Sequence, residues 1–407
     1  MLQYNFAYPM QTDALQRAAT LAREVRRHIH QNPELSGVEF TTSAYLQELL
    51  GERGWELFPI EGATSFLAYK AGEIPTTFGY RAELDALPIQ EHEGEFSSKN
   101  AGVMHACGHD LHIALAVGLS LLRDESPAGK WPNLLLIFES SEEVLPGGAM
   151  VVLHSAPFQA HKPDAMFAFH CEPELPVGSI GICSGQYMAS GDEIRITVNG
   201  KAAHGALPHT GVDSLLVAAH TLIALQTIAS RNAPPSSPLV LSFGNVVCQG
   251  RMNLIPASVR LDGTLRTHSE TWRAEAKKLI CRIAEHTAAS FGATATVDIT
   301  EGYPSLLNNE ELATRARLLL AECVQGNVVS LPKRMTTDDF AYFTHVLPSL
   351  FLRLGVGPTG NLHSADFCPS EDALLYGLRC LERLAQELCP LLSKQERRLE
   401  RRLRSSV

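Results

Sequence analysis

The sequence predicts an α/β protein: a mixed, largely parallel sheet flanked by helices, with a ferredoxin-like α+β domain inserted into it. Three observations lead there. Apolar strand-like runs alternate with helical periodicity over residues 13–170. Near residue 186 the pattern changes to alternating, half-buried strands around two long helices. After about residue 298 the first pattern resumes. We therefore assign 1–185 with 299–407 to one discontinuous domain and 186–298 to the insert.

Taken in order, residues 13–31 place Leu15, Ala18, Ala22, Val25 and Ile29 on one stripe, as an amphipathic helix requires. The runs "SFLAYK", "TFGYRAEL", "NLLLIFES" and "DAMFAFH" read as strands, with helices over 110–123 and 146–155 between them. In the insert, "DEIRITVNG" alternates as a strand and "HTGVDSLLVAAHTLIALQTIASR" reads as a helix. Strands "SPLVLSFGNVV" and "ASVRLDGTLRT", a helix over 269–290 and the strand "ATATVDIT" follow. Strand–helix–strand–strand–helix–strand is the ferredoxin-like order. The proline-rich "NAPPSSP" reads as a loop within it. Helices over 309–323 and 371–391 and a strand "SLFLRLG" complete the first domain. The closing run "SKQERRLERRLRSS" spaces Arg397, Arg398, Arg401, Arg402 and Arg404 helically with Glu396 and Glu400, and reads as a solvated helix end.

Composition excludes several classes. A formal net charge of −10 argues against a nucleic-acid binder, which needs a basic face. No apolar run is long enough to span a bilayer, so no membrane partner is expected. The first twenty residues lack a basic segment followed by an apolar core, so no secretory signal is expected. Nine cysteines, an odd and scattered set, read as reduced thiols in a cytoplasmic protein.

The chemistry-bearing residues sit where predicted strands end or helices begin. They are Cys107 and His109 in "MHACGHDLH", Glu142 and Glu143 in "FESSEEV", His170 in "FAFHCEP" and His363 in "GNLHSADF". A two-residue spacing points Cys107 and His109 the same way in an extended turn, and thiolate and imidazole both bind borderline-soft divalent ions. Asp110 has an ordinary use as the cap of the following helix. If one carboxylate of Glu142–Glu143 holds a metal, the other is placed to take a proton from water activated there. One thiolate, three imidazoles and one carboxylate can serve two metals if one ligand bridges.

These blocks also carry a resemblance. With "RRHIHQNPELSGVE", "RAELDALPIQE", "SSEEVLPGGA", "FAFHCEPELPVGSIG", "AAHGALPHTGVDS", "NLIPASVRLDGTLR", "DDFAYF" and "LHSADF", the chain resembles the di-metal amidohydrolases over about residues 20–390. That family includes aminoacylases, hippurate hydrolases, N-acetyldiaminopimelate deacetylases and plant indole-acetyl-amino-acid hydrolases. The resemblance implies a metal-dependent hydrolase of N-acyl amino acids or small peptides with a free carboxylate. It implies two divalent ions per subunit (Zn, Mn, Co or Ni), with Cys107, His109, Glu143, His170 and His363 as ligands and Glu142 as general base. It further implies that the insert is a lid through which the chain forms a homodimer. On that lid His204 would stabilise the oxyanion, and Asn253 and Arg266 would read the substrate carboxylate. Departures are present: "SSEE" replaces the usual "QPAEE", Glu83 replaces an aspartate, and Thr336–Thr337–Asp338 replaces Gly-Ser-Glu. They bear on pocket shape rather than on the ligands. Two rivals stand beside this reading: a thiol hydrolase using Cys107 with His109 or His105 as base, and a non-catalytic small-molecule-binding homologue.

Overall fold

A computed structural model of the chain describes residues 13–125, 131–324 and 327–391. Along the first stretch run α1 (Asp13–Gln31), α2 (Phe40–Gly51), β1 (Glu56–Pro59), β2 (Phe66–Lys70), β3 (Ile74–Glu83), α3 (His109–Glu125), β4 (Pro132–Glu139), α4 (Ala149–His154), α5 (Ala156–Ala160), β5 (Ala165–Pro176), β6 (Ile180–Ile182) and β7 (Gly185–Met188). Next come β8 (Ser190–Asn199), β9 (Ala203–His204), α6 (Ser214–Thr227), β10 (Leu239–Cys248), β11 (Leu254–Ile255), β12 (Ser258–Thr267), α7 (Glu270–Ser290) and β13 (Thr294–Glu301). The last stretch holds β14 (Leu306–Asn308), α8 (Glu310–Cys323), β15 (Val328–Ser330), α9 (Ala341–Thr344), β16 (Ser349–Gly357) and α10 (Ala373–Arg383). The C-terminal arginine run lies outside the described residues.

The residues gather into two compact units. The first takes the described parts of Met1–Gly185, Leu307–Pro332 and Tyr342–Val407. Its sheet has the order β1-β2-β4-β3-β5-β16-β6-β15. The central run β4-β3-β5-β16 is parallel, while β1–β2, β2–β4 and β16–β6 are antiparallel. The sheet is thus mixed and mostly parallel. Its central strands read as continuous apolar runs because helices cover both faces. The α1 stripe Leu15, Ala18, Ala22, Val25 and Ile29 is buried, and α1 lies against α3 and α10.

The second unit comprises Gln186–Leu306 and Lys333–Ala341. Its antiparallel sheet runs β10-β12-β8-β13, with α6 and α7 as the two connecting helices, which is the ferredoxin-like arrangement. In β8, Ile194, Ile196 and Val198 enter the core while Glu193 and Arg195 are exposed, as a sheet covered on one face demands. Residues 333–341, which the sequence reading leaves with the first domain, join this unit. Arg334 bridges Met188, and its carbonyl accepts from Ala189 N at 3.1 Å.

Other local expectations are corrected. Asp110 is not a cap: α3 already begins at His109, and the buried Asp110 carboxylate meets Arg26 Nε at 3.0 Å and His30 Nδ1 at 2.9 Å. The predicted strand ending at His170 continues to Pro176, because "CEPELP" pairs with the end of β16. The 371–391 helix is α-helical over Ala373–Arg383 and gives way to a π-helical turn over Leu384–Leu388.

Candidate metal centre

The parallel strands β3, β4, β5 and β16 bring their carboxyl ends to one edge of the sheet, where ligands gather in open α/β sheets. Cys107 precedes α3 by one residue, Gly108, whose φ of +88° lets the chain turn sharply. A Cβ at Gly108 would lie 2.5 Å from Cys171 Sγ, so only glycine fits between Cys107 and His109. Glu142 and Glu143 follow β4. His170 lies within β5 opposite Arg353. His363 lies in the loop after β16, and its N–H donates to the Ala106 carbonyl at 2.9 Å, which fastens that loop beside Cys107. Among the described residues, the two non-glycine residues with positive φ are Ser141 (+60°), just before the glutamate pair, and His363 (+62°). Strained backbone of this kind clusters at functional sites.

The side chains converge. Cys107 Sγ is 3.4 Å from His170 Nε2 and 3.3 Å from His363 Nε2. His363 Nε2 is 3.4 Å from Glu143 Oε1. His109 Nε2 is 3.9 Å from both Glu143 Oε1 and Glu142 Oε2. Two ligands of one tetrahedral ion, at about 2.0–2.3 Å each, lie roughly 3.3–3.6 Å apart, so the spacing suits a shared metal shell. His109 Nε2 and Glu143 Oε1 are buried without a hydrogen-bond partner among the described residues, as unfilled ligand atoms would be. The residues therefore fit divalent ions.

The surrounding charges agree. Burial disfavours an imidazolium at His109, but Glu83, Asp85 and Glu143 outweigh it and lift its pKa to about 10. The pocket thus demands positive charge. Burial, with the Glu143, Glu142 and Glu83 carboxylates, pushes the Cys107 thiol well above its ordinary range. His170 is held well below its ordinary value by burial and the Arg353 guanidinium, which keeps the ring neutral as a ligand must be.

Sequence reasoning missed the contacts that hold these side chains in place. His109 Nδ1 donates to the Asp85 carbonyl at 2.8 Å, and Asp85 Oδ2 accepts from Glu143 N at 3.0 Å and Ser36 Oγ at 2.7 Å. Glu83 is buried between Arg81 and His112, with His112 Nδ1 2.9 Å away. One available signal was the two-residue spacing of Glu83 and Asp85, which sends both to one side of a strand end.

His204, Asn253 and Arg266 all lie in the second unit. His204 is exposed on β9, which pairs with β11, and the N–H of Gly205 donates to the Asn253 carbonyl at 2.8 Å, so the two residues are neighbours. Arg266 stands apart on β12, half-buried, donating from Nε to Thr264 Oγ1 at 3.1 Å and from a terminal nitrogen to Thr337 Oγ1 at 2.9 Å. Among the described residues no carboxylate pairs with it.

Among the described residues no helix is long and apolar enough to cross a membrane. The profile of Peptidase family M20/M25/M40 matches residues 79–387. An N-acetyl-L-cysteine deacetylase of Bacillus subtilis (strain 168) is 34% identical over 353 residues, 86% of this chain and 84% of that protein. An N-acetyldiaminopimelate deacetylase of Brevibacillus brevis is 34% identical over 368 residues, 89% of this chain and 97% of that protein. A solved dinuclear metal binding peptidase of the M20 family from Bacillus subtilis superposes with a TM-score of 0.80 at 28% identity, covering 93% of this chain and 99% of that one. A converging donor cluster and these matches agree on a metal-dependent hydrolase of amide bonds, and the chain belongs to peptidase family M20/M25/M40.

Proposed function

We propose that this protein removes the acyl group from N-acyl amino acids, or cleaves small peptides with a free carboxylate, using two divalent ions. Cys107, His109, Glu143, His170 and His363 would hold them, and Zn, Mn, Co or Ni suit such a set. The observation that carries this is Cys107 Sγ lying 3.3–3.4 Å from two imidazoles, beside His109 Nε2 and Glu143 Oε1, which have no hydrogen bond among the described residues. Bound there, the ions supply Lewis acidity for the amide carbonyl and lower the pKa of water. Glu142 accepts the proton of the attacking water and returns it to the leaving amine. His204 holds the developing oxyanion, and Asn253 and Arg266 bind the substrate carboxylate. That no carboxylate among the described residues pairs with Arg266 supports that assignment.

We assign the second unit the roles of lid and dimer interface. Exposed Leu215, Leu216 and Ile223 on α6, with Val246 and Val247 on the edge strand β10, support a second copy of the chain as occupant. A reducing, cytoplasmic setting suits its nine unbridged cysteines. The thiol-hydrolase rival lacks support. Cys107 Sγ meets the imidazoles of His170 and His363, neither of which is the base that rival names. His105, its alternative base, has no hydrogen-bond partner among the described residues and is held near 3 chiefly by burial.

The test is metal content with hydrolysis of acetyl-, benzoyl- and succinyl-amino acids, before and after chelation. Chelator-sensitive, alkylation-tolerant release of free amino acid is expected. Activity that survives complete metal removal would overturn the reading.

A further inference from the structure

Glu39 has a task that its position does not explain. It is the residue before α2, where a side chain ordinarily caps the helix, yet it makes no cap hydrogen bond. Glu34 does that work instead, accepting from Thr41 N at 3.1 Å and Thr42 N at 2.8 Å. The Glu39 carboxylate, completely buried, turns the other way. Its Oε1 accepts from Ser141 N and from Gly37 N, each at 2.9 Å, and its Oε2 accepts from Thr64 Oγ1 at 2.6 Å.

Ser141 is the left-handed residue directly before Glu142 and Glu143. A serine adopts φ near +60° only when its surroundings compel it. Beside it, the Ser140 N–H donates to Ser65 Oγ at 2.9 Å, and the two hydroxyls meet at 2.8 Å. Ser140 stands where the family motif carries proline, a residue with no N–H to donate. Across the turn, a Cβ on Gly148 would lie 1.9 Å from the Ser140 carbonyl oxygen, so that flank is closed as well. The turn that aims both glutamates is therefore gripped at successive amides by two side chains from distant parts of the sequence.

We propose that Glu39 is a positioning residue for Glu142 and Glu143, with Ser65 as its helper at a turn that lacks the usual proline. The inference rests on the metal reading above. Glu39 touches neither a donor atom of the centre nor substrate. It acts by fixing the backbone from which one glutamate reaches a metal and its neighbour reaches water. Supporting groups of this kind change metal affinity or activity about 10–100-fold when removed.

The experiment titrates the full-length protein with Zn²⁺ against a chromophoric chelator, and measures kcat, KM and Tm. Glu39→Ala should weaken Zn²⁺ binding or lower kcat by about 10–100-fold while KM stays near the parent's. Glu39→Gln keeps an acceptor for the Ser141 N–H and should recover most of the loss. Ser65→Ala should shift the same quantities in the same direction by less. It decides the matter if Glu39→Ala does not fold, since parent-like affinity and kcat in Ser65→Ala would then refute the proposal. A folded Glu39→Ala protein with parent-like affinity and kcat overturns the positioning role alone. So does a Glu39→Gln protein as impaired as the alanine variant. A parent protein that takes up no Zn²⁺ overturns the metal reading and this inference with it.

Discussion

Replacing the Cys107 sulfur by oxygen removes the soft donor between His170 and His363. Cys107→Ser should lower metal content and rate together, read by metal analysis and turnover on the same samples. Glu142→Gln should keep its metal and lose about 10²–10⁴-fold in kcat, because an amide cannot take up the water's proton. Arg266→Ala should raise KM for acyl amino acids and matter far less for an analogue with an amidated carboxylate. Equal losses on both substrates would make Arg266 a scaffold residue. The residues that converge at the centre were legible because their chemistry is unusual where strands end: a thiol, imidazoles and paired carboxylates in turns. Asp85 and Glu39 were not. A buried carboxylate that accepts backbone N–H groups looks, in sequence, like any acidic residue near a helix start. Only tertiary contacts distinguish the cap Glu34 from Glu39, which grips a turn 102 residues away.

At the scale of elements, α3 is tied to α1 by a buried group of charges below the metal centre. Asp110 accepts from Arg26 and His30, and His30 Nε2 reaches Glu91 Oε1 at 2.8 Å. Burial disfavours the charge on His30, but Asp110 and Glu91 outweigh it and raise its pKa from 6.5 to about 9. The folded state therefore binds this proton more tightly than the unfolded chain. The resulting stability is complete below about pH 6.5 and is lost as pH climbs through about 9, on the order of 3 kcal/mol in all. Tm should fall across that window in the parent protein, and His30→Gln should flatten the slope. An equally steep fall in the variant would assign the effect to other groups. Long periodic elements such as α1 were readable residue by residue. The three-residue strands β6 and β15 were not, because so short a run has no period and exists only through its neighbours in the sheet. Asp110 misled for a related reason: helix boundaries shift by a residue or two, and one residue separates a cap from a buried ion pair.

For the molecule as a whole, the expected homodimer depends on the apolar α6 and β10 surface of the second unit. Ile223→Asp combined with Val246→Lys should convert a dimer to a monomer in light scattering, without disturbing the metal content of the first unit. A dimer that persists would place the interface elsewhere. The change of sequence pattern near residue 186 was visible because a sheet covered on one face alternates, whereas one covered on both does not. The return of 333–341 to the second unit was hidden, since its attachment combines backbone contacts of Arg334 with scattered polar contacts such as Arg266 to Thr337, neither of which makes a periodic pattern in sequence. The donor set has a consequence beyond chemistry. Cys107 and His363 meet across 256 positions of sequence. If both hold one ion, as proposed, that ion would close more than half of the chain into a ring, as a cross-link would, and so narrow the unfolded ensemble. Cofactor supply would then govern how long the protein lasts as well as how fast it works. In a cell short of metal, turnover of the protein would then track the supply of its ions.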